Sequence, residues 1–403
     1  MAQVTSSLSA VFLYKHGMVF DCKKMMTIVI LSNLIAIICT VVAHKQWGIF
    51  SHDPVNGPGL LADPSLKFAA VLFRHGNRAP EISYKTDPHI NFFPEGKGEL
   101  TKLGKQNMYK KGKIFRLLYN GFISDLYLDS EIFIQTTNVT RTFMSAALVL
   151  AGMYPPKDYQ KWLDEETVWQ PIPINQNSPD HGLIFRENCP SFSAISKNLL
   201  SYKNEENLTE LLSYLSEKAG QSISEMDLVK LYDLFECQIS AGLQLPEWIT
   251  PDKFQTLKSI VLHRKRLDNF FGNSKVQKLV IGPLLKEIAL TMELHSNNSI
   301  SQNKLRKMYL YSGHDISLAT VKGFFMNTID MPDFGASIHF HLYLDETFGY
   351  IVKIFYYDRW NTEKEEELPI HACGNPCQLQ NFVKIMKANF PRGWNEECQM
   401  IEN

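Results

Sequence analysis

The chain has 403 residues, 45% of them hydrophobic, with 41 basic and 42 acidic side chains and a formal net charge of −1. That apolar content and near-zero charge exclude a disordered chain, and the missing basic excess argues against a nucleic-acid binder. At this length the chain can bury one large core or two moderate ones, so its seven cysteines are not needed merely to make it fold.

Met25–Ala43 is an apolar run without a charge, preceded by Lys23 and Lys24 and ending in the small residues Val41-Val42-Ala43. This layout predicts a secretory signal over residues 1–43, including the extension before the run. An uncleaved N-terminal membrane anchor is the rival, and Ser32 and Asn33 weaken the run as a permanent span. No second run of spanning length follows, so the expected product is secreted, extracellular and free of the membrane once the signal is removed. Cys22 and Cys39 leave with it, and Cys189, Cys237, Cys373, Cys377 and Cys398 stay. In an oxidising compartment five cysteines read as two bridges and one leftover thiol.

Ser51–Asp63 reads as an extended lead-in. Phe68–Phe73 (FAAVLF) reads as a strand buried on both faces. Gly96, Gly98 and Gly104 echo a nucleotide loop weakly and are taken as a turn, before a helix from about Thr101 to Leu118. A strand over Glu131–Gln135 precedes a helix over Thr142–Tyr154, which Pro155-Pro156 ends. The middle section shows helical periodicity in Leu208–Ala219 and Met226–Glu236 and little strand signal. Strand character returns at Lys307–Tyr311, His339–Leu344 and Tyr350–Tyr357, with a helix at Ile316–Phe325. The expected fold is α/β: a mixed sheet with helices on both faces, built from 66–185 and 301–403, with a smaller, mainly helical cap inserted over 186–300.

Three strand-to-helix junctions carry the chemistry. FAAVLF ends in Arg74-His75-Gly76-Asn77-Arg78-Ala79-Pro80, EIFIQ in Thr136–Arg141, and KMYLY in Ser312-Gly313-His314-Asp315. Open α/β sheets bind ligands beyond the carboxyl ends of their strands. Three arginines, two histidines and an aspartate gathered there match a phosphoryl group. Guanidinium forks hold its oxygens, an imidazole attacks phosphorus, and an acid protonates the departing alkoxide. On spacing alone the nucleophile is either His75 or His314. Any one junction alone reads equally as a polar loop, a structural ion pair or a helix cap.

The first junction fits the R-H-G-x-R-x-P signature of the histidine acid phosphatase family, and Ser312–Asp315 resembles that family's downstream His-Asp motif. Thr136–Ala146 is similar to its segment with a third phosphate-binding arginine. Trp169–Pro173 and Arg186–Pro190 resemble landmarks of the prostatic and lysosomal branch, and the secreted insect acid phosphatases, venom forms included, look most similar. The resemblance runs from about Leu66 to Cys398. It implies a doubly wound, phosphoglycerate-mutase-like sheet under a helical cap, and in several members a homodimer. It also implies that His75 is the nucleophile and that Arg74, Arg78, Arg141 and His314 bind phosphate. Asp315 would then protonate the leaving group of a small-molecule or peptide phosphate monoester, with no cofactor and no metal. The pairs Cys189–Cys398 and Cys373–Cys377 are implied as bridged. Relatives join the position of Cys237 to a cysteine following the His-Asp helix, where this chain reads Ala336-Ser337-Ile338-His339, which leaves Cys237 as the free thiol.

A zinc site from His371, Cys373, Cys377 and Cys398 is the rival for the C-terminal cysteines. His339 and His341 alternate on one strand face and are expected to be a strand-surface pair rather than metal ligands. Asn207 and Asn297 are expected glycan sites in loop-like surroundings, whereas a glycan on Asn138 would obstruct the pocket. Two functional rivals remain. One is a metal-dependent phosphohydrolase using His314 and Asp315 as ligands; the other is a catalytically silent secreted binding protein or allergen on the same fold.

Overall fold

The computed structural model describes residues 62–164, 166–176, 189–191, 205–264, 274–297, 299–300, 305–326, 331–362 and 364–399. The apolar segment Met25–Ala43 lies outside them, as do Arg186–Asn188 and the 185/186 boundary. Strand β1 (Leu66–Arg74) is the centre of the sheet. Its Phe68, Ala70 and Leu72 enter one core cluster, and Ala69, Val71 and Phe73 enter another. A strand covered on both faces has no polar side to show, so its apolar run is continuous.

The remaining strands are β2 (Ile132–Thr136), β3 (Asn175–Gln176), β4 (Met308–Gly313), β5 (Ser337–Asp345), β6 (Gly349–Tyr357) and β7 (Glu366–Glu367). The sheet order is β3-β2-β4-β1-β5-β6-β7. Strands β1, β2 and β4 are parallel, and β5, β6 and β7 are antiparallel additions. This is the mixed sheet expected. Strands β3 and β7 are exposed two-residue edges with no apolar alternation to reveal them.

Helix α1 (Lys102–Leu118) is capped by Thr101, whose Oγ1 accepts from Gly104 N at 3.1 Å. It packs on α2 (Thr140–Met153) through two glycines. A Cβ on Gly112 would lie 2.1 Å from Val149 O, and one on Gly152 would lie 2.1 Å from Tyr109 O. Helices α3 (Glu205–Ala219), α4 (Asp227–Ser240) and α5 (Pro251–Arg264) surround their own cluster, which includes Leu215, Leu231, Phe235 and Val261. Helices α6 (Ser274–Val280) and α7 (Gly282–Ser296) instead send Leu279, Leu285, Ile288 and Met292 into a sheet cluster. The helical middle section therefore divides between two cores, where a single insertion over 186–300 was expected. Helices α8 (Asp315–Met326) and α9 (Leu379–Lys387) cover the same face as α7, and α10 (Trp394–Gln399) brings Cys398 there.

Cys189 is bonded to Cys398 and Cys373 to Cys377, while Cys237 is a buried free thiol. Thiolates consumed in bridges cannot bind zinc, which removes the metal reading of the C-terminal cysteines. His339 and His341 are not surface residues: they are 0% and 9% exposed, between β5 and α1. Sequence alternation puts two histidines on one face, and only packing shows that α1 covers it. Asn207 falls in the first turn of α3 rather than in a loop, and Asn297 is exposed just after α7. Among the described residues no helix is long and apolar enough to cross a membrane.

Candidate active site

The register of the parallel strands brings the three junctions together. Arg74 pairs with Gly313, and Thr136 with Ser312, so β1, β2 and β4 end at one edge of the sheet. His75 follows β1, His314 follows β4, and Arg141 lies in the first turn of α2. Asp315 begins α8, where its Oδ1 accepts from Ile316 N at 2.7 Å. The loop after β1 is fixed from both sides. Arg74 N donates to Ala336 O at 2.9 Å, and His75 O accepts from Gly335 N at 3.1 Å. Under the loop, Gly104 passes so close that its Cβ would lie 2.0 Å from Asn77 O.

His75 is 2% exposed, and its ring meets His314 edge-on at 5.4 Å between centroids. Nδ1 lies 2.9 Å from Gly76 O. A carbonyl only accepts, so Nδ1 carries the proton and Nε2 keeps the lone pair. Burial, then the charges of Arg74, His314, Arg141 and Arg78, hold His75 well below the usual imidazole range. His314 is lowered to about 3 by burial and Arg141, against the opposing pull of Asp315. Both rings are therefore neutral in mild acid.

The arginines surround this pair. Arg74 donates to Pro332 O at 2.6 Å, stacks 4.0 Å from the Phe334 ring centroid and comes within 3.8 Å of Asp315. Arg78 is held by Asp233 of α4 at 2.8 Å, and its Nη1 reaches Cys237 Sγ at 3.5 Å. Arg141 pairs with Glu81 at 3.1 Å. In all three the Nε is buried and has no hydrogen-bond partner. Three buried guanidinium donors pointing nowhere are costly unless an anion meets them. His314 Nε2 lies 3.3 Å from Thr137 Oγ1, which orients its ring.

All six residues expected at the site are thus gathered at one sheet edge. The supporting residues Glu81, Asp233, Phe334 and Thr137 were not legible. Asp233 lies 155 positions from Arg78 in the chain, and no local pattern marks it.

The chain matches the histidine phosphatase superfamily (branch 2) over residues 65–357 and belongs to that family. It is 31% identical over 360 residues to prostatic acid phosphatase of Rattus norvegicus, covering 84% of this chain and 90% of that one. It is 28% identical over 347 residues to lysosomal acid phosphatase of Bos taurus, covering 83% and 81%. Among solved structures, Hafnia alvei phytase with tartrate aligns at TM-score 0.60 and 17% identity, over 84% of this chain and all (100%) of that one. Phytase from Citrobacter braakii aligns at 0.58 and 16%, over 83% and 99%. At those identities the likeness is one of fold.

Proposed function

We propose that the chain is an acid phosphatase that hydrolyses phosphate monoesters through a phosphohistidine. The observation that carries this reading is a buried His75 ringed by three arginines with unpartnered buried Nε groups. His75 Nε2 attacks phosphorus while Arg74, Arg78, Arg141 and His314 hold the phosphoryl oxygens. The ester P–O bond breaks as Asp315, in acid form, protonates the departing oxygen. Water then attacks the phosphohistidine, Asp315 takes its proton, and the P–N bond breaks to return neutral His75.

Acid operation follows from the same charges. An ordinary imidazole is protonated below about pH 6.5 and cannot attack. Burial and the arginines keep His75 unprotonated further into acid, the range in which the reaction needs Asp315 in its acid form. The chemistry needs no cofactor. Turnover of an aryl phosphate should give a bell-shaped pH profile on the acid side and survive excess chelator. Loss of activity in chelator would instead favour His314 and Asp315 as metal ligands.

Two disulfides support a secretory route, in keeping with the resemblance to secreted insect acid phosphatases of venom type. The helices of 205–264 and the loop over 80–94 form the cap and set substrate choice, because Asp233 reaches the arginines from α4 and Glu81 from that loop. Tyr159, Trp162, Leu163, Val168 and Trp169 are exposed apolar side chains, with Trp162 and Trp169 in edge contact, and they support a homodimer.

A further inference from the structure

Between α1 and the inner face of β5 lies a chain of buried polar groups that the proposed reaction does not use. Lys111 Nζ donates to Ser337 Oγ at 3.1 Å, and Ser337 Oγ lies 2.9 Å from His339 Nε2. His339 Nδ1 lies 2.6 Å from the Tyr119 hydroxyl, which lies 2.9 Å from His341 Nε2. His341 Nδ1 reaches the Tyr343 hydroxyl at 2.9 Å. Lys111, Tyr119, Ser337 and His339 are at most 2% exposed, and only the Tyr343 end is part-exposed.

An ammonium donates and never accepts, so Lys111 fixes the direction of the first bond, and the groups beyond it can all be oriented the same way. Having accepted from Lys111, Ser337 can donate to His339 Nε2, and in that arrangement Nδ1 is the donor to Tyr119. Tyr119 in turn donates to His341 Nε2, and His341 Nδ1 donates to Tyr343. Five hydrogen bonds thus run one way, from a buried cation to the edge of the protein.

The chain also underlies the site. Ser337 pairs with Phe73, and the two residues before it, Ala336 and Gly335, hold the backbones of Arg74 and His75. One turn before Lys111, Asn107 Nδ2 donates to Asn77 Oδ1 at 3.0 Å. Lys111 therefore bridges the two elements that grip the signature loop.

We propose that Lys111 is a positioning residue whose proton is exchanged with solvent through Ser337, His339, Tyr119, His341 and Tyr343. Charged, it ties β5 to α1 beneath Arg74 and His75; neutral, it slackens that tie. Proton loss is a relay in which each group hands one proton onward: Lys111 to Ser337, then His339, Tyr119, His341 and Tyr343, and from Tyr343 to water. Every group but Lys111 ends with its original proton count and the bonds reversed. Burial lowers Lys111 to about 7, so the tie is charge-assisted in acid and weakens to a neutral hydrogen bond as pH rises through that value. The groups facing the chain are Phe115 of α1, Tyr357 and Phe355 of β6, and Asp63, Lys353, Glu365 and Glu367 around Tyr343. None of the described carboxylates pairs with Lys111.

The test compares the full chain with Lys111→Met in two arms, of which only the second rests on the phosphatase reading. In thermal unfolding, a lysine with a lowered folded value penalises the fold fully below that value and less as pH rises toward the unfolded value. The variant should therefore melt higher than wild type at about pH 5, and the gap should close by about pH 10. In turnover of an aryl phosphate with a good leaving group, the ratio of wild-type to variant kcat cancels the ionisations of Asp315 and substrate. That ratio should be about tenfold at pH 5 and fall to about one by pH 9, a loss of about 1.4 kcal/mol in acid only. A ratio that does not change with pH overturns the proposal, as does a variant that melts lower at every pH. If Lys111→Met does not fold, Ser337→Ala removes the acceptor and should lose the same acid-side activity. Unchanged activity in Ser337→Ala at all pH values would equally overturn it. A chain with no turnover at all defeats the phosphatase reading, while the melting arm still reports on Lys111.

Discussion

Arg141 sits at the rim, held by Glu81, and its charge acts on both histidines of the site. Arg141→Gln keeps a polar group near Glu81 and deletes that charge, so His75 becomes easier to protonate. The acid limb of kcat/KM should move to higher pH, and kcat/KM should fall by about 10²–10³-fold. A variant with the loss in rate and an unmoved acid limb would show that Arg141 acts on the phosphoryl group and not on the ionisation of His75. Cys237 offers a second check at this scale. Burial pushes its thiol up to about 12, so labelling followed by peptide mapping should find it inert in the native protein and reactive after denaturation. Arg74, His75, Arg78, His314 and Asp315 were legible because each stands in a short motif directly after an apolar strand. Glu81, Asp233 and Phe334 were not, since an arginine's partner is chosen by the fold. The same holds for Lys111, which reads as one more lysine on a basic helix and is 2% exposed.

Helix α1 is the element on which the site depends most. It crosses α2 at Gly112 and Gly152 and passes under the signature loop at Gly104. Gly112→Ala must push two backbones apart, so a loss of about 1–3 kcal/mol is expected, read as a lower Tm. Gly104→Ala presses on Asn77 instead and should reduce kcat by more than its change in Tm explains. Equal effects of the two variants on activity would contradict the claim that α1 positions the loop. The sequence made β1, α1 and α2 legible through an uninterrupted apolar run, a threonine cap and a Pro-Pro stop. It concealed β3 and β7, which are exposed and two residues long, and the division of the helical middle section. Helix α7 has apolar residues much like those of α4, and nothing in either states which core it will join.

For the whole molecule, the bridge Cys189–Cys398 has a sequence separation of 209 and ties Cys189 to helix α10. Closing so long a loop restricts the unfolded chain by up to about 5 kcal/mol, against about 2 kcal/mol for the short Cys373–Cys377 loop. Cys189→Ser with Cys398→Ser should lower Tm more than Cys373→Ser with Cys377→Ser. The reverse order would mean that native packing, not chain restriction, governs their effect. The near-zero net charge of the chain conceals its most functional asymmetry, three arginines brought from two distant segments to one edge of a sheet. That gathering serves one act, the transfer of a phosphoryl group to His75. Rapid acid-free quenching of the enzyme with a radiolabelled phosphate monoester, followed by peptide mapping, tests this most directly. An acid-labile label is expected on the peptide containing His75 and should be absent in His75→Ala, whose turnover should be reduced at least about 10³-fold. An active enzyme whose label maps to His314, or a His75→Ala variant that keeps its turnover, would contradict it.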